Sequence, residues 1–407
     1  MNRRRRILLS AYACEPGKGS EPEVGWRWAT SLARFDDVTV VTRVNNEQPI
    51  RKALADWTGP RPSFIYYDLP KPILRLKRAG MPVALYYLLW QIGVRWTMRR
   101  QLRQFDAIHH ITFNSFRQPG FWWFCKTPVV LGPLGGGQVC PGSFFSLMRG
   151  RRLAEFLRSL SVRLSSALPH LWLSFAGARV ILAANKDTEL RIPAVFRRKV
   201  SCLLETGIPA ESISQQIPSS NRRQVRILWL GWFIQIKAPE LALRSFALAH
   251  EKSPDLRLTM AGDGPLAAEL KKLAAQLGIQ EAVDWPGRVP HDRVTPLMSD
   301  HDIFMFTSLR DTSGNVLLEA MASGVPAISL LHQGAAEIAT DQTAIRVRPV
   351  SIEQTIQDLS GAILKLSSSQ DLRESMGRAA LTRIREVFAW DKQAEHIDKI
   401  YAEICPQ

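Results

Sequence analysis

The chain has 407 residues, 46% of them hydrophobic, with 53 Lys+Arg against 37 Asp+Glu and a formal net charge of +16 at pH 7. That length points to two or three domains, and the hydrophobic content supplies a core for each, which excludes a disordered or fibrous chain. Five cysteines (Cys14, Cys125, Cys140, Cys202 and Cys405) are scattered without a C-x-x-C pair or a histidine cluster at zinc spacing, so free thiols in a reducing cytoplasm are expected and no structural metal.

Charge is uneven along the chain. Residues 1–200 carry 32 Lys/Arg and 12 Asp/Glu, a balance of +20, whereas residues 201–407 carry 21 and 25, a balance of −4. A basic half can meet nucleic acid or an anionic surface. No nucleic-acid-binding signature accompanies these basic residues, so the expectation is an anionic membrane surface or a lipid diphosphate, and no nucleic acid.

The first stretch, Met1 to Cys14, has four arginines and a short apolar run broken by Ser10. A secretory segment needs about 7–15 apolar residues, so Ile7 to Ala13 reads as a first buried strand behind an arginine tail. Glu15 to Trp26 is a Gly/Pro-rich loop running into an amphipathic helix, and Val38 to Thr42 is a second strand. Strand, glycine loop, helix, strand is the opening of a doubly wound parallel fold, with the loop at the sheet edge where ligands bind. The loop is not G-x-G-x-x-G, so dinucleotide binding is unsupported. Gly17, Gly19 and Ser20 would let a diphosphate approach the backbone. An ordinary flexible loop is the other reading.

Pro82 to Val94 is hydrophobic and aromatic and is bordered by Lys71, Arg75, Lys77 and Arg78 before it and Arg95, Arg99, Arg100 and Arg103 after it. Thirteen residues fall short of the roughly 20 that span a bilayer. The segment is either an interfacial helix, with arginines on lipid phosphates, or a helix packed on the sheet with its basic ends in water. A second such segment follows at Leu153, Leu157, Leu160, Leu164 and Leu168, one helical stripe with arginines on other faces, which is either core or membrane-facing.

Between these segments, Asp106 to Pro119 reads as a short strand ending in a polar loop. Adjacent histidines on a strand point to opposite faces, so at most one of His109 and His110 looks into a cleft. A strand histidine is also a common satisfied core residue. His110, nearer the strand's C-terminal end, is the candidate functional one. A second glycine run, Val129 to Gln138, suits close backbone approach to a ligand. Val180 to Asn185 and Val200 to Gly207 read as the last strands of the first domain, and Ile208 to Arg223 as a linker.

The second domain restarts the alternation. Strands are expected at Val225 to Trp232, Leu256 to Ala261, Val283 to Trp285, Ile303 to Phe306 and Ala327 to Leu330, with helices such as Leu266 to Leu277 between them, and ligands are expected between the two domains. After Ile303 to Phe306, a Ser/Gly/Asn turn leads into a helix from Val316 to Ala322. Unpaired N–H groups and the dipole at such a helix start favour an anion, so Thr312, Ser313, Gly314 and Asn315 form a candidate phosphate or sugar cradle. Asp311 and Glu319 place carboxylates on either side of it. Asp300-His-Asp302 matches a D-x-D metal motif but precedes its strand, at the far edge of the sheet, so no divalent metal is expected.

The stretch SLRDTSGNVLLEAMASGVP resembles the C-terminal signature of family 4 glycosyltransferases, retaining enzymes of the two-domain GT-B fold that take sugars from nucleotide donors. The first loop, ACEPGKGSEPEVGW, the histidine-bearing strand, Leu230 to Ala238, Ala261 to Pro265 and Gln333 to Glu337 resemble further motifs of that family, and Phe388 to Tyr401 resembles its terminal helix, which crosses back onto the first domain. The resemblance implies that the first acid, Asp311, meets the donor sugar and that the second, Glu319, meets the nucleotide ribose. It places Lys237 on the donor diphosphate, Arg288 near the base, Glu337 in a loop at the donor end, and His110 near the transferring sugar. The family has Glu where Asp311 stands and Arg where Trp232 stands.

The expectation is therefore an α/β chain of two Rossmann-like domains, residues 1–207 and 208–387, with a C-terminal helix at 388–407. A metal-independent hexosyltransferase would move a sugar from a UDP- or GDP-sugar to a saccharide or lipid-linked acceptor, without a cofactor. The expected location is cytoplasmic, with peripheral attachment to the inner face of the cytoplasmic membrane following from the basic half. The departures at Asp311 and Trp232 motivate an alternative, an impaired relative that docks on membranes or assemblies.

Overall fold

The computed structural model describes residues 3–113, 115–218 and 224–405. Within them lie two all-parallel sheets, whose central strands are apolar runs because both faces are covered. The first sheet has seven strands: β1 (Arg6–Ala11), β2 (Asp37–Thr42), β3 (Ser63–Tyr66), β4 (Ala107–Ile111), β5 (Val129–Leu134), β6 (Val180–Ala183) and β7 (Val200–Cys202). Their spatial order is β3-β2-β1-β4-β5-β6-β7. The second has six: β8 (Arg226–Leu230), β9 (Arg257–Ala261), β10 (Val283–Gly287), β11 (Ile303–Phe306), β12 (Ala327–Leu330) and β13 (Ala344–Val347), in the order β10-β9-β8-β11-β12-β13. β3, β5 and β13 were not foreseen: β3 and β13 are four-residue strands, β3 has no fully buried residue, and β5 opens what was read as a glycine run. The first two residues of the arginine tail and positions 219–223 of the expected linker lie outside the described residues.

The chain divides into two compact units. Residues 1–137, 162–207 and 390–407 form the first, and residues 138–161 and 208–389 the second. Segment 138–161 thus groups with the second unit, whereas the sequence reading put it in the first domain. Apolar packing explains this grouping, because Cys140, Phe144, Leu147 and Met148 share one core with Trp229, Leu258 and Ile303. Glu155, almost fully buried, lies 3.2 Å from Arg310 and 3.5 Å from Arg158.

That ionic contact also settles the leucine stripe of helix Arg152–Leu164. Glu155, Ser159 and Val162 are its buried positions, while Leu153, Phe156, Leu157, Leu160 and Leu164 are exposed. The stripe is therefore not core. The earlier aromatic segment forms helix Val83–Met98, which buries Tyr86, Tyr87, Trp90 and Val94 and exposes Ile92 and Trp96. Among the described residues no helix is long and apolar enough to cross a membrane.

In the first unit, helix Trp390–Ile404 completes the core beside helix Ser20–Leu32: the Trp28 and Trp390 rings meet edge-to-face at 5.2 Å. His109 on β4 is fully buried between Gly132 O, 2.8 Å from its Nε2, and the Tyr401 hydroxyl, 2.6 Å from its Nδ1. The carbonyl can only accept, so Nε2 carries the proton and Tyr401 donates to Nδ1. Replacing Tyr401 with Phe strands that buried acceptor and should cost about 1–3 kcal/mol of stability, measurable as a lower denaturant midpoint at unchanged m-value.

Candidate active site

In the second unit the candidate residues gather at the C-terminal ends of β8 and β11. The chain leaves β8 through Gly231 and a short turn, Gln235–Lys237, and Ala238 then takes a left-handed conformation. Thr307, just past β11, ties this turn down: its hydroxyl lies 3.0 Å from both Lys237 O and Ala238 O and accepts from Trp229 Nε1 at 2.9 Å. Leu309 N donates to Ile236 O at 2.8 Å. With its backbone pinned, Lys237 reaches Asp311, and the ammonium and carboxylate form a close, partly exposed ion pair. The structure thus brings these two predicted residues together.

The cradle follows at once. Gly314 caps helix Asn315–Ala322 with φ of 73°, a left-handed value that favours glycine, and a Cβ there would sit 3.0 Å from the Phe306 ring. Leu317 N already bonds back to Gly314 O at 2.9 Å, whereas the N–H groups at the very start of a helix have no acceptor within it. Ser313 Oγ donates to Asn315 Oδ1 at 3.0 Å, and Thr312 is hydrogen-bonded to Gln138. Asp311 N donates to Gln333 Oε1 at 2.9 Å, and Gln333 Nε2 donates to Val139 O at 2.8 Å. Gly334 packs flush against the turn, since a Cβ on it would lie 2.2 Å from Thr312 O. Gln138 and Gln333 are positioning residues that sequence reasoning missed. The only signal was that each abuts a glycine run already singled out, and nothing local said that the two would meet this turn.

Glu319 lies within the helix, its carboxyl pushed up to about 7 by burial. Glu337 is half-buried, and Arg383 donates to its backbone carbonyl at 2.9 Å. Arg288 is exposed just beyond β10, and Trp232 is 62% exposed. Among the described residues no group of three or more His, Cys, Asp or Glu side chains is placed to hold a metal.

In the first unit Gly17 and Gly19 take positive φ with open space where a Cβ would be, and Gly17 N donates to Glu23 Oε2 at 2.6 Å. Ser20 also takes a positive φ, of 50°. His110 is fully buried: Nδ1 lies 3.0 Å from Ser10 Oγ and Nε2 lies 3.0 Å from the Tyr87 hydroxyl. Burial, with His109 adjacent, pushes its pKa down to about 3, so the imidazole is neutral at physiological pH.

Residues 211–383 match the family described as Glycosyl transferases group 1. This stretch takes in most of the second unit. The chain is 24% identical over 223 residues to the phosphatidylinositol N-acetylglucosaminyltransferase gpi3 subunit of Schizosaccharomyces pombe, covering 55% of this chain and 47% of that protein. It is 25% identical over 231 residues to the D-inositol 3-phosphate glycosyltransferase of Corynebacterium aurimucosum, covering 55% and 51%. The chain thus spans about half the length of these relatives. In fold it is similar to a glycosyltransferase of Rickettsia africae, with a TM-score of 0.62 at 15% identity and 99% of each chain covered. It is similar also to HepE of Anabaena, solved with UDP, at 0.62 and 14% with 98% of this chain and 100% of that one covered. The two sheets are the two Rossmann-like domains of the GT-B fold.

The raised Glu319 pKa makes the stability of the second unit depend on pH. The folded state keeps a proton up to about pH 7 that the unfolded chain, with the ordinary carboxyl value of 4.5, has already lost. Stability therefore falls as pH rises from 4.5 to 7. Glu319→Gln does not titrate, so it should match wild type near pH 4.5 and exceed it by roughly 1–3 kcal/mol at pH 8, read by urea unfolding at the two pH values.

Proposed function

We propose that the chain is a retaining glycosyltransferase, in the manner of family 4, moving a sugar from a nucleoside-diphosphate donor to a saccharide, polyol or lipid-linked acceptor. The observation that carries this reading is the Lys237–Asp311 pair beside the unsatisfied helix start at Gly314, inside the stretch that matches the group 1 family. Without ligand, Asp311 neutralises Lys237. A donor diphosphate would compete with that carboxylate for the ammonium and take the N–H groups of Ser313 and Gly314. As the sugar–phosphate bond breaks, these fixed donors stabilise the charge that grows on the leaving phosphate. Asp311, released from Lys237, is then available to the hydroxyls of the sugar.

Glu319 is assigned to the ribose, Thr312 and Asn315 to the donor's polar groups, Arg288 to the base, and Glu337 to the donor end of the domain. In the first unit Gly17, Gly19 and Ser20 offer backbone to the diphosphate. His110, with both ring nitrogens engaged, would act on the sugar through Tyr87 or Ser10 rather than as a free base. The leaving phosphate itself would take the acceptor's proton. No metal and no cofactor enter this scheme.

We infer further that the enzyme works against an anionic membrane surface on the cytoplasmic side. Helix Arg152–Leu164 supports this reading: its exposed Leu153, Phe156, Leu157, Leu160 and Leu164 lie among exposed Arg151, Arg152 and Arg163, and its acid, Glu155, is buried. Such a face suits the boundary between headgroups and acyl chains. Leu157→Asp with Leu160→Asp should lower binding to phosphatidylglycerol-containing vesicles several-fold in a flotation assay without lowering the melting temperature. Equal binding by this variant and wild type removes the membrane assignment.

The catalytic reading has its own test. A panel of nucleotide sugars, followed by release of nucleoside diphosphate, identifies the donor. Its nucleoside diphosphate at about 100 times Kd should stabilise the full chain by about 2.7 kcal/mol. Lys237→Ala should abolish that stabilisation and slow transfer by about 10²-fold or more. Asp311→Asn should bind the nucleotide at least as tightly as wild type, because the competing carboxylate charge is gone, and should still transfer slowly. Undiminished transfer by either variant would overturn the assignment.

A further inference from the structure

At the C-terminal edge of the first sheet, three loops deliver a second polar cluster that the donor chemistry leaves unused. Tyr12 follows β1, Arg43 follows β2, and Asp68 lies two residues beyond β3. This is the edge where open parallel sheets receive ligands. The Arg43 guanidinium lies 4.2 Å from the centroid of the Tyr12 ring and donates through Nε to Tyr12 O at 3.1 Å. Lys77 comes from helix Lys71–Arg78, where it is half-buried while its neighbours Arg75, Leu76 and Arg78 are exposed. Its Nζ sits 3.9 Å from the Tyr86 ring centroid and 6.0 Å from that of Tyr12. Two cations therefore crowd one aromatic ring.

Neither cation has a carboxylate within ion-pair distance among the described residues. Asp68, which acts on Lys77, is hydrogen-bonded by the Tyr86 hydroxyl at 2.9 Å. Burial first, and then the adjacent Arg43 charge, push the Lys77 amine below the usual lysine value, and Asp68 offsets this only in part. Like charges held together, half-buried, on an aromatic shelf are costly without an anion, and the ring faces alone do not neutralise them. Arg43 keeps its remaining guanidinium donors after bonding Tyr12, and such donors favour the oxygens of a phosphate. The same Tyr12 ring packs at 5.0 Å on Tyr87, whose hydroxyl touches His110. The cluster is thus one ring removed from the group assigned to the transferring sugar.

We propose that Arg43 and Lys77 form a phosphate subsite, so that the acceptor taken by the first unit is a phosphorylated compound rather than a neutral sugar. This rests on the glycosyltransferase reading for the word acceptor, while the phosphate site itself does not. The full chain is titrated with inorganic phosphate, glycerol 3-phosphate and a monomeric short-chain phosphatidic acid, with UDP present to occupy the donor side, and binding is followed by calorimetry. Arg43→Gln and Lys77→Gln should each weaken phosphate binding at least tenfold, Lys77→Arg should retain most of it, and Arg78→Gln, one residue away, should leave it unchanged. Melting curves confirm that each variant is folded, and should a glutamine variant melt early, the Lys77→Arg and Arg78→Gln comparison still decides.

UDP binding separates the two readings. Lys237→Gln should lose UDP and keep phosphate, so failure of the donor assignment appears on UDP alone. If glycerol 3-phosphate binds and the lipid does not, the acceptor is a soluble phosphate; if the lipid binds more tightly, it is a lipid-linked one, and either result supports the subsite when it depends on Arg43 and Lys77. No measurable phosphate binding by wild type, or binding that survives both substitutions, overturns the proposal.

Discussion

The chemistry of the second unit depends on how the chain turns between β11 and helix Asn315–Ala322. A tight turn alone would be free to move, and the pinning comes from far along the chain. Gln333 holds Asp311 N from one side, Gln138 holds Thr312 from another, and Gly334 lies so close that a single methyl group would collide with the Thr312 carbonyl. Gln333 itself takes a positive φ of 54°, a conformation that costs a side-chain-bearing residue energy and persists where surrounding bonds over-determine it. The consequence is a preorganised helix start with a lysine fixed beside it, and donors that need not reorganise are the ones worth most to a developing charge.

The same economy explains the two departures from the family pattern. Asp311 is one methylene shorter than the expected Glu, yet its carboxylate meets Lys237, because Thr307 draws the backbone of residues 237 and 238 towards β11. Trp232, where the family has arginine, points largely to solvent. Beside the helix start the structure therefore sets Lys237, paired with Asp311, and no arginine at position 232. In the first unit the balance is reversed: cations are plentiful, and Arg43 and Lys77 are held over aromatic rings rather than by acids.

Helix Arg152–Leu164 shows how periodicity and burial part company. Its leucines repeat on one face, which ordinarily marks the side turned to the core. Here the core side is the one with Glu155, Ser159 and Val162, because Arg310 and Arg158 make the burial of that glutamate tolerable. A buried carboxylate without such partners is expensive, and with them it can outvote a row of leucines. No window on the helix contains Arg310, so hydrophobic pattern alone could not reveal which face would turn inward.

Much of the architecture was legible because its causes are local. Parallel strands buried on both faces need unbroken apolar runs, such as Ile303 to Phe306, and close turns need glycine, as at Gly314; both demands are written in a few adjacent residues. The Ser/Gly/Asn turn and the two flanking acids could be placed on the same grounds. What the tertiary structure alone decided concerns partners distant in sequence: that His110 would be sealed against Tyr87, that His109 would bond Tyr401, 292 positions away, and that residues 138–161 would join the second unit. Desolvation and pairing are properties of a neighbourhood, and a neighbourhood exists only once the chain has folded.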